Sequence, residues 1–292
     1  MSHDKPFSVV MPVYNEEDSI EQALKKLKDF LDKEGFEYEI VCVDDKSTDK
    51  SPEILDNFEG IKVIHHRKNR GYGGALKTGI KNAIFDTIVI MDSDGQHKPE
   101  EIPKLLEAYD SPETMVIGRR KIYQTKASRI LGKILLHKIA NFIFKEDISD
   151  INSGFRVFSK KTASKYLHLC SERFSFTTSI TIAYISENLN IVYVPIEVQK
   201  RAGGESQVSF KTGFRTILKI LELGMIFKPL RVVLPLSMLF AFFGTLSFAV
   251  DLWNVNLTNT TVFLYSNAVI LFISALLAEQ IKNIRMEIIN HE

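Results

Sequence analysis

The sequence predicts an α/β fold, a doubly wound sheet covered by helices on both faces, followed by a C-terminal two-helix transmembrane hairpin. Three observations carry this. Short apolar runs alternate with segments of helical spacing as far as Gly118. Acidic and glycine-rich clusters fall at the carboxyl ends of those runs. Beyond Arg231 the chain becomes apolar, with two long stretches free of charge.

Phe7–Val13 is a buried-strand signal, and Glu16–Glu34 follows with Ile20, Ala23, Leu24, Leu27, Phe30 and Leu31 at helical spacing. Tyr38–Val43 reads as a second strand. Ser51–Phe58 reads as a short helix with Pro52 in its first turn. Ile61–Ile64 is a third strand, Gly74–Ile84 a helix, and Thr87–Met91 a fourth strand. Pro99–Tyr109 is a helix opened by proline, and Met115–Gly118 a fifth strand. Strands alternating with helices imply a parallel sheet, and ligands of such sheets bind beyond the strands' carboxyl ends.

Val232–Val250 and Leu252–Ala278 contain no charged residue. A bilayer core needs about 20 apolar residues per helix, and buried helices of soluble proteins normally keep a charged face. Spans are expected at about 231–251 and 260–280, within residues 230–282. The loop from Asp251 to Asn256 places Trp253 like an interfacial aromatic. Lys228 and Arg231 precede the first span, and Lys282 and Arg285 follow the second. The positive-inside rule then puts both termini in the cytoplasm, with residues 283–292 as a cytosolic tail. Two sequons, Asn256-Leu257-Thr258 and Asn259-Thr260-Thr261, read as chance in so short a loop. Residues 211–229 form an amphipathic segment with Phe214, Ile217, Leu218, Leu221 and Met225 on one face. It suits a helix on the membrane surface or one in the core of the soluble part. The soluble α/β part is expected at residues 1–210.

Composition narrows the function. The chain has 292 residues, with 37 basic against 36 acidic. That balance argues against a nucleic-acid partner, which usually leaves a basic domain. Cys42 and Cys170 are not in a metal-spaced pair, which suits a reducing cytosol. Residues 1–5 are polar and Phe7–Val13 is too short for a signal peptide, so none is expected.

The chemistry-bearing residues lie at strand ends. The first strand ends in Pro12-Val13-Tyr14-Asn15-Glu16-Glu17, the second in Asp44-Asp45-Lys46-Ser47-Thr48-Asp49, and the fourth in Asp92-Ser93-Asp94-Gly95-Gln96-His97. Clustered carboxylates repel unless they hold a cation or accept hydrogen bonds. For Asp92 and Asp94 to face one metal the chain must bend, and Gly95 permits the bend. Hard oxygen donors, with Gln96 adding a neutral one, favour Mg²⁺ or Mn²⁺ over zinc. Asp49 is equally suited to capping the next helix. Asn69-Arg70-Gly71-Tyr72-Gly73-Gly74 has Leu76 where a dinucleotide fingerprint needs its third glycine, so its glycines serve instead to let backbone approach a ligand at a helix start.

On these residues the soluble part resembles glycosyltransferase family 2. The matching pieces are P-V-Y-N-E-E at 12–17, V-D-D-K-S-T-D at 43–49, N-R-G-Y-G-G-A-L-K-T-G at 69–79 and M-D-S-D-G-Q-H at 91–97. With the two C-terminal spans, the chain resembles the polyprenol-phosphate glycosyltransferases, including dolichol-phosphate mannose and glucose synthases. The resemblance implies the GT-A nucleotide-diphospho-sugar transferase fold, a Rossmann-like mixed sheet. It places Pro12, Tyr14, Glu16, Asp44 and Asp45 at the nucleotide, with Ser93 among the donor's contacts. It places Asp92, Asp94 and Gln96 at the metal and diphosphate, with Asp92, Asp94 and Arg201 as the catalytic set. Asp150–Arg156 is similar to the family's D-x-x-S-G-F-R, and Arg201–Ser206 to its R-x-x-G-x-S loop closing over the donor. Arg119, Arg120, Arg129, Ser153, Arg156 and Ser206 are implied at the acceptor phosphate.

The expected reaction is metal-dependent, inverting transfer of a hexose from UDP-glucose, UDP-GlcNAc or GDP-mannose to polyprenyl or dolichyl phosphate. It would occur at the cytoplasmic face of the cell membrane, or of the endoplasmic reticulum in a eukaryote. A lipid phosphate is already a nucleophile, so it needs arginines rather than a general base. A family 2 enzyme acting on a glycan hydroxyl and a catalytically silent assembly subunit are the competing readings. A processive polysaccharide synthase would carry Q-x-x-R-W, whereas the single tryptophan is Trp253. Two spans are a small membrane domain, which favours association into a homo-oligomer.

Overall fold

A computed structural model describes residues 5–120, 141–144, 153–172, 175–198 and 210–291. Its sheet has seven strands: β1 Phe7–Val13, β2 Tyr38–Asp44, β3 Lys62–His65, β4 Thr87–Ile90, β5 Thr114–Arg120, β6 Arg156–Ser159 and β7 Asn190–Ile196. Their order is β3-β2-β1-β4-β6-β5-β7. β6 runs antiparallel to both its neighbours, and every other pairing is parallel. The sheet is therefore mixed, not wholly parallel as alternation alone predicts. One edge collects the carboxyl ends of the parallel strands together with the amino end of β6.

Around it lie α1 Ile20–Glu34, α2 Ser51–Asp56, α3 Tyr72–Asn82, α4 Ile102–Glu107, α5 Lys160–Ser164 and α6 Phe176–Ser186. All seven β1 residues are buried. Val9, Met11 and Val13 share a core with Ile20, Leu24, Leu27 and Leu31 of α1. Each such side chain contributes about 1.5–3 kcal/mol on burial. Pro12 has no N–H, yet it sits in a central strand. It lies beyond the last β1–β4 pair, Val10 with Ile90, where only the β2 side is still laddered.

By their packing, the described residues of 1–129 and 148–208 form one compact unit, and those of 130–147 and 209–292 a second. The second unit holds α7 Phe210–Phe227, α8 Pro229–Trp253 and α9 Asn259–His291. It also takes in Ile143, whose carbonyl accepts from Arg231 at 3.0 Å and whose side chain lies against Gly224. On α7, Ile220, Leu223 and Phe227 are buried, while Leu218 and Met225 are exposed. The helix is thus apolar on two sides, one packed and one open.

Pro229–Trp253 and Asn259–Arg285 are each long and apolar enough to cross a bilayer, with mean hydropathy 2.0. Leu239, Phe242 and Leu246 on α8 and Ile270, Ile273 and Leu277 on α9 are exposed. Helices of a soluble core would bury them. The two helices meet through small and hydroxyl residues, as membrane helices do. Ser237 Oγ donates to the Ala268 carbonyl at 2.8 Å, and the Ser247 and Thr261 hydroxyls are 2.6 Å apart. Asp251, expected in the loop, instead closes the last turn of α8. One of its carboxylate oxygens accepts from Thr258 N and Oγ1 at 2.9 and 3.0 Å and from Thr261 Oγ1 at 2.6 Å. One carboxylate thus staples the end of one helix to the start of the next. Asp251→Ala should lower the thermal midpoint in detergent by several degrees, with Asp251→Asn intermediate, in a fluorescence melt. Unchanged midpoints would remove the staple.

Candidate active site

The turns leaving β1 and β2 are zipped together by side chains. Asn15 N–H donates to Ser47 Oγ at 3.0 Å, and Asn15 Oδ1 accepts from Thr48 N–H at 2.8 Å. Glu17 N–H donates to Asp49 Oδ2, and Lys50 N–H donates to Glu17 Oε2. Asp49 Oδ1 also takes the N–H of Ser51, the first residue of α2, although the residue at the helix's N-cap position is Lys50. Asn15 and Lys46 adopt left-handed backbone, with φ of 54° and 65°. Residues 17–19 form a turn, with Ile20 N–H donating to the Glu16 carbonyl at 2.9 Å, and α1 begins at Ile20 and not at Glu16.

Asp44 and Asp45 are both buried, but they face different partners. Asp44 Oδ1 accepts from Ser47 N–H at 2.9 Å, and its Oδ2 lies 3.1 Å from His65 Nδ1. His65 also reaches Asp56 at 2.9 Å. Burial pulls the His65 pKa down, but the bonds to Asp56 and Asp44 outweigh it and hold it above the ordinary histidine value. Asp45 Oδ1 takes His66 Nδ1 at 2.7 Å and Arg70 N–H at 2.8 Å, and its Oδ2 takes Gly71 N–H at 2.6 Å. Asp45, expected at the nucleotide, thus spends both oxygens on fixing the 70–71 loop.

Asp92 and Asp94 follow β4, partly buried. Gly95 between them and Gln96 has φ 71° with open space around it, so backbone conformation and not crowding asks for glycine. Gln96 N–H donates to Asp94 Oδ1 at 3.1 Å. Ser93 is buried, and its hydroxyl donates to the Pro12 carbonyl at 2.8 Å, while its own carbonyl accepts from Ser19 Oγ. Ser19 Oγ is also 2.8 Å from Glu16 Oε2. Ser93 therefore ties the acidic turn to the β1 turn. Tyr14 stands exposed beyond β1.

Three residues given no role by the sequence surround Asp92. Tyr72 Oη donates to Asp92 Oδ1 at 2.8 Å. Burial and then the Asp92 charge push the Tyr72 pKa well above the usual tyrosine range, so the phenol keeps its proton. His97 Nδ1 accepts from Asp92 N–H at 3.2 Å, and its ring stacks on Phe155 at 4.8 Å. Gly154 approaches so closely that a Cβ there would lie 2.5 Å from Asp92 Oδ2. Their signal lay inside the motifs, in the tyrosine of N-R-G-Y-G-G, the histidine of D-S-D-G-Q-H and the glycine of S-G-F-R.

Arg119, exposed, and Arg120 close β5 at the same sheet edge. Ser153 Oγ donates to the Gly118 carbonyl at 2.6 Å. Arg156, expected to reach the acceptor, is fully buried. Its Nε donates to the Ser153 carbonyl at 2.7 Å, and its Nη1 to the Thr177 carbonyl and Thr181 Oγ1 at 3.0 and 2.6 Å. It clamps β6 to α6 beneath the edge, because the β6 pleat turns it inward. The side chain of Arg120 and the residues Arg129, Arg201 and Ser206 lie outside the described residues.

Among the described residues no three His, Cys, Asp or Glu side chains are grouped to hold a metal by themselves. Asp92 and Asp94, with Gln96 beside them, instead fit the habit of Mg²⁺ and Mn²⁺, which take one or two carboxylates and complete their shell from substrate phosphates.

A mixed α/β sheet with acidic turns at one edge is the GT-A arrangement, and the same chain carries two helices long and apolar enough to cross a membrane. The Glycosyl transferase family 2 model matches residues 8–167, and the GtrB C-terminal hairpin model matches residues 228–284. The chain belongs to glycosyl transferase family 2 and is a glycosyltransferase. An uncharacterized protein of Methanocaldococcus jannaschii is 35% identical over 228 residues, 73% of this chain and 90% of its own length. The dolichol-phosphate mannosyltransferase of Pyrococcus furiosus is 33% identical over 74% of this chain and 63% of its own length. The undecaprenyl-phosphate 4-deoxy-4-formamido-L-arabinose transferase of Edwardsiella ictaluri is 33% identical over 68% and 62%. The chain thus spans a little under two thirds of the latter two relatives. Among solved structures, glucosyl-3-phosphoglycerate synthase from Mycobacterium tuberculosis, in complex with Mn²⁺, UDP and phosphoglyceric acid, shares the fold. Its TM-score is 0.61 at 18% identity, over 76% of this chain and 79% of that one.

Gly154→Ala should push Asp92 out of place while leaving the fold intact. The expected result is a loss of roughly 10-fold or more in kcat/KM with an unchanged melting midpoint. Wild-type kinetics would show that Asp92 tolerates the displacement.

Proposed function

We propose that the protein transfers a hexose from a nucleotide sugar to a polyprenyl or dolichyl phosphate, inverting the configuration at C1. The observation that carries this reading is the presence in one chain of the acidic sheet edge and the apolar hairpin. Two relatives are named for prenyl-phosphate acceptors, which supports the same acceptor class here.

A lipid-phosphate oxygen attacks C1 of the donor sugar as the bond from C1 to the diphosphate oxygen breaks. The nucleoside diphosphate leaves with the electron pair, and no proton has to be removed. Asp92, Asp94 and Gln96 would hold Mg²⁺ or Mn²⁺, which when bound neutralises charge gathering on the leaving diphosphate. The turn carrying Pro12, Tyr14 and Glu16 and the buried Asp44 form the nucleotide side. Asp45 and Ser93 serve it by fixing its loops. Arg119, Arg120 and Arg129 orient the acceptor phosphate, and Arg201 with Ser206 closes over the donor. Ser153 and Arg156 enter as supports of the β5–β6 edge that presents Arg119. The catalytic unit and both ends of the hairpin lie on the cytoplasmic side, following the basic residues that flank the spans.

The test incubates purified protein with polyprenyl phosphate, Mg²⁺ or Mn²⁺, and labelled UDP-glucose, UDP-GlcNAc and GDP-mannose in turn. Label should enter an organic-extractable product with one of these donors and vanish from it with EDTA. No glycolipid from any of them would contradict the reading, and label on a glycan instead would favour a hydroxyl acceptor. Asp94→Ala should lower kcat by at least about 100-fold, a loss of about 2.7 kcal/mol in transition-state stabilisation. Full activity would remove the metal assignment.

A further inference from the structure

A carboxylate that is to receive a divalent cation must be held before the cation arrives. A fixed ammonium or guanidinium beside it would do so, but would also repel the incoming ion. A neutral hydroxyl orients the carboxylate and leaves its charge in place. Tyr72 is such a group, with its hydroxyl 2.8 Å from Asp92 Oδ1.

The backbone that carries Tyr72 is anchored through its neighbours. It is the first residue of α3 and directly follows Gly71, whose N–H, with that of Arg70, is fixed by the Asp45 carboxylate. His66 joins Asp45 to Thr78 one and a half turns into α3, through bonds of 2.7 and 2.9 Å. Gly74 N–H, in the first turn of the helix, donates to the Glu172 carbonyl at 2.8 Å. A carboxylate at the end of β2 therefore places a phenol, and the phenol places a carboxylate at the end of β4.

We propose that Tyr72 is a positioning residue for the metal site: its hydroxyl fixes Asp92 Oδ1, while Oδ2, 3.9 Å from His97 Nε2, keeps the carboxylate's charge turned to the divalent ion. This rests on the reading that Asp92 binds that ion. Hydrogen bonds behind a ligating carboxylate are typically worth 10–100-fold in metal affinity. Tyr72→Phe removes one oxygen atom and keeps the ring that packs at the head of α3.

Mn²⁺ binding to the full-length protein in detergent, read by electron paramagnetic resonance with UDP or GDP present, tests this. Tyr72→Phe should weaken Mn²⁺ binding by about 10-fold. The apparent KM for Mn²⁺ should rise by a similar factor, with the lost rate recovered at saturating Mn²⁺. The melting midpoint and nucleotide binding in EDTA should stay as in wild type. Wild-type Mn²⁺ affinity in Tyr72→Phe would overturn the proposal. A fall in midpoint together with lost metal-free nucleotide binding would assign the tyrosine to packing, and would overturn it too. If wild-type protein binds no Mn²⁺ with either nucleotide, the failure lies with the metal reading itself.

Discussion

Parallel strands deliver their carboxyl ends to one edge of the sheet, and the negative charge that gathers there has to be organised by neutral donors. This constraint explains most of the local structure. Asp45 and Asp49 are met by backbone N–H groups of neighbouring turns, and Asp44 by the Ser47 N–H of its own turn. Asp92 is met by a phenol and by its own backbone bond to His97. The turns adopt left-handed backbone at Asn15, Lys46, Gly71 and Gly95, so that these N–H groups point inward. Such cradles bind anions, and where the anion is a side-chain carboxylate they fix the loop instead. The acids thus divide into those that shape the edge and those, Asp92 and Asp94, left partly open to a ligand.

Charge and apolarity are separated along the chain. The first unit keeps its apolar residues in a sheet core, whereas α8 and α9 turn theirs outward. Exposed apolar surface of that extent suits a bilayer, and the same segment matches the GtrB C-terminal hairpin model. Between the helices, Ser237, Ser247, Thr261 and Asp251 replace apolar contacts with hydrogen bonds. Lipid offers helices little hydrophobic drive to associate, so polar ties supply specificity.

The sequence made β1, β2 and β4 legible, because central parallel strands are continuous apolar runs bounded by turn residues. It hid β6, four residues headed by an arginine, and β7, a half-buried edge strand whose pattern is diluted by Asn190 and Pro195. Phe176–Ser186 is rich in β-branched residues, yet it forms a buried helix, since tertiary packing overrides propensity. In the site, residue type was legible and direction was not. Arg156 carries the charge of an acceptor ligand but turns under the sheet. Asp45 carries the charge of a nucleotide ligand but faces the 70–71 loop. Tyr72 and Gly154 meet Asp92 across long sequence separations, which spacing within one motif does not reveal, and His97 meets it within the motif through a bond that spacing alone does not show. Gly95 was readable because its backbone, φ 71° with open space around it, depends on its immediate neighbours.

The central claim is that an oxygen of a lipid phosphate attacks the sugar carbon, with the donor's phosphates leaving intact. Polyprenyl phosphate labelled with ¹⁸O on its non-bridging oxygens tests it most directly, with mass spectrometry of both products. The account predicts that all of the label stays in the glycolipid and that the nucleoside diphosphate carries none. Label in the nucleotide product, or its loss to water, would place bond breaking at phosphorus and contradict the account.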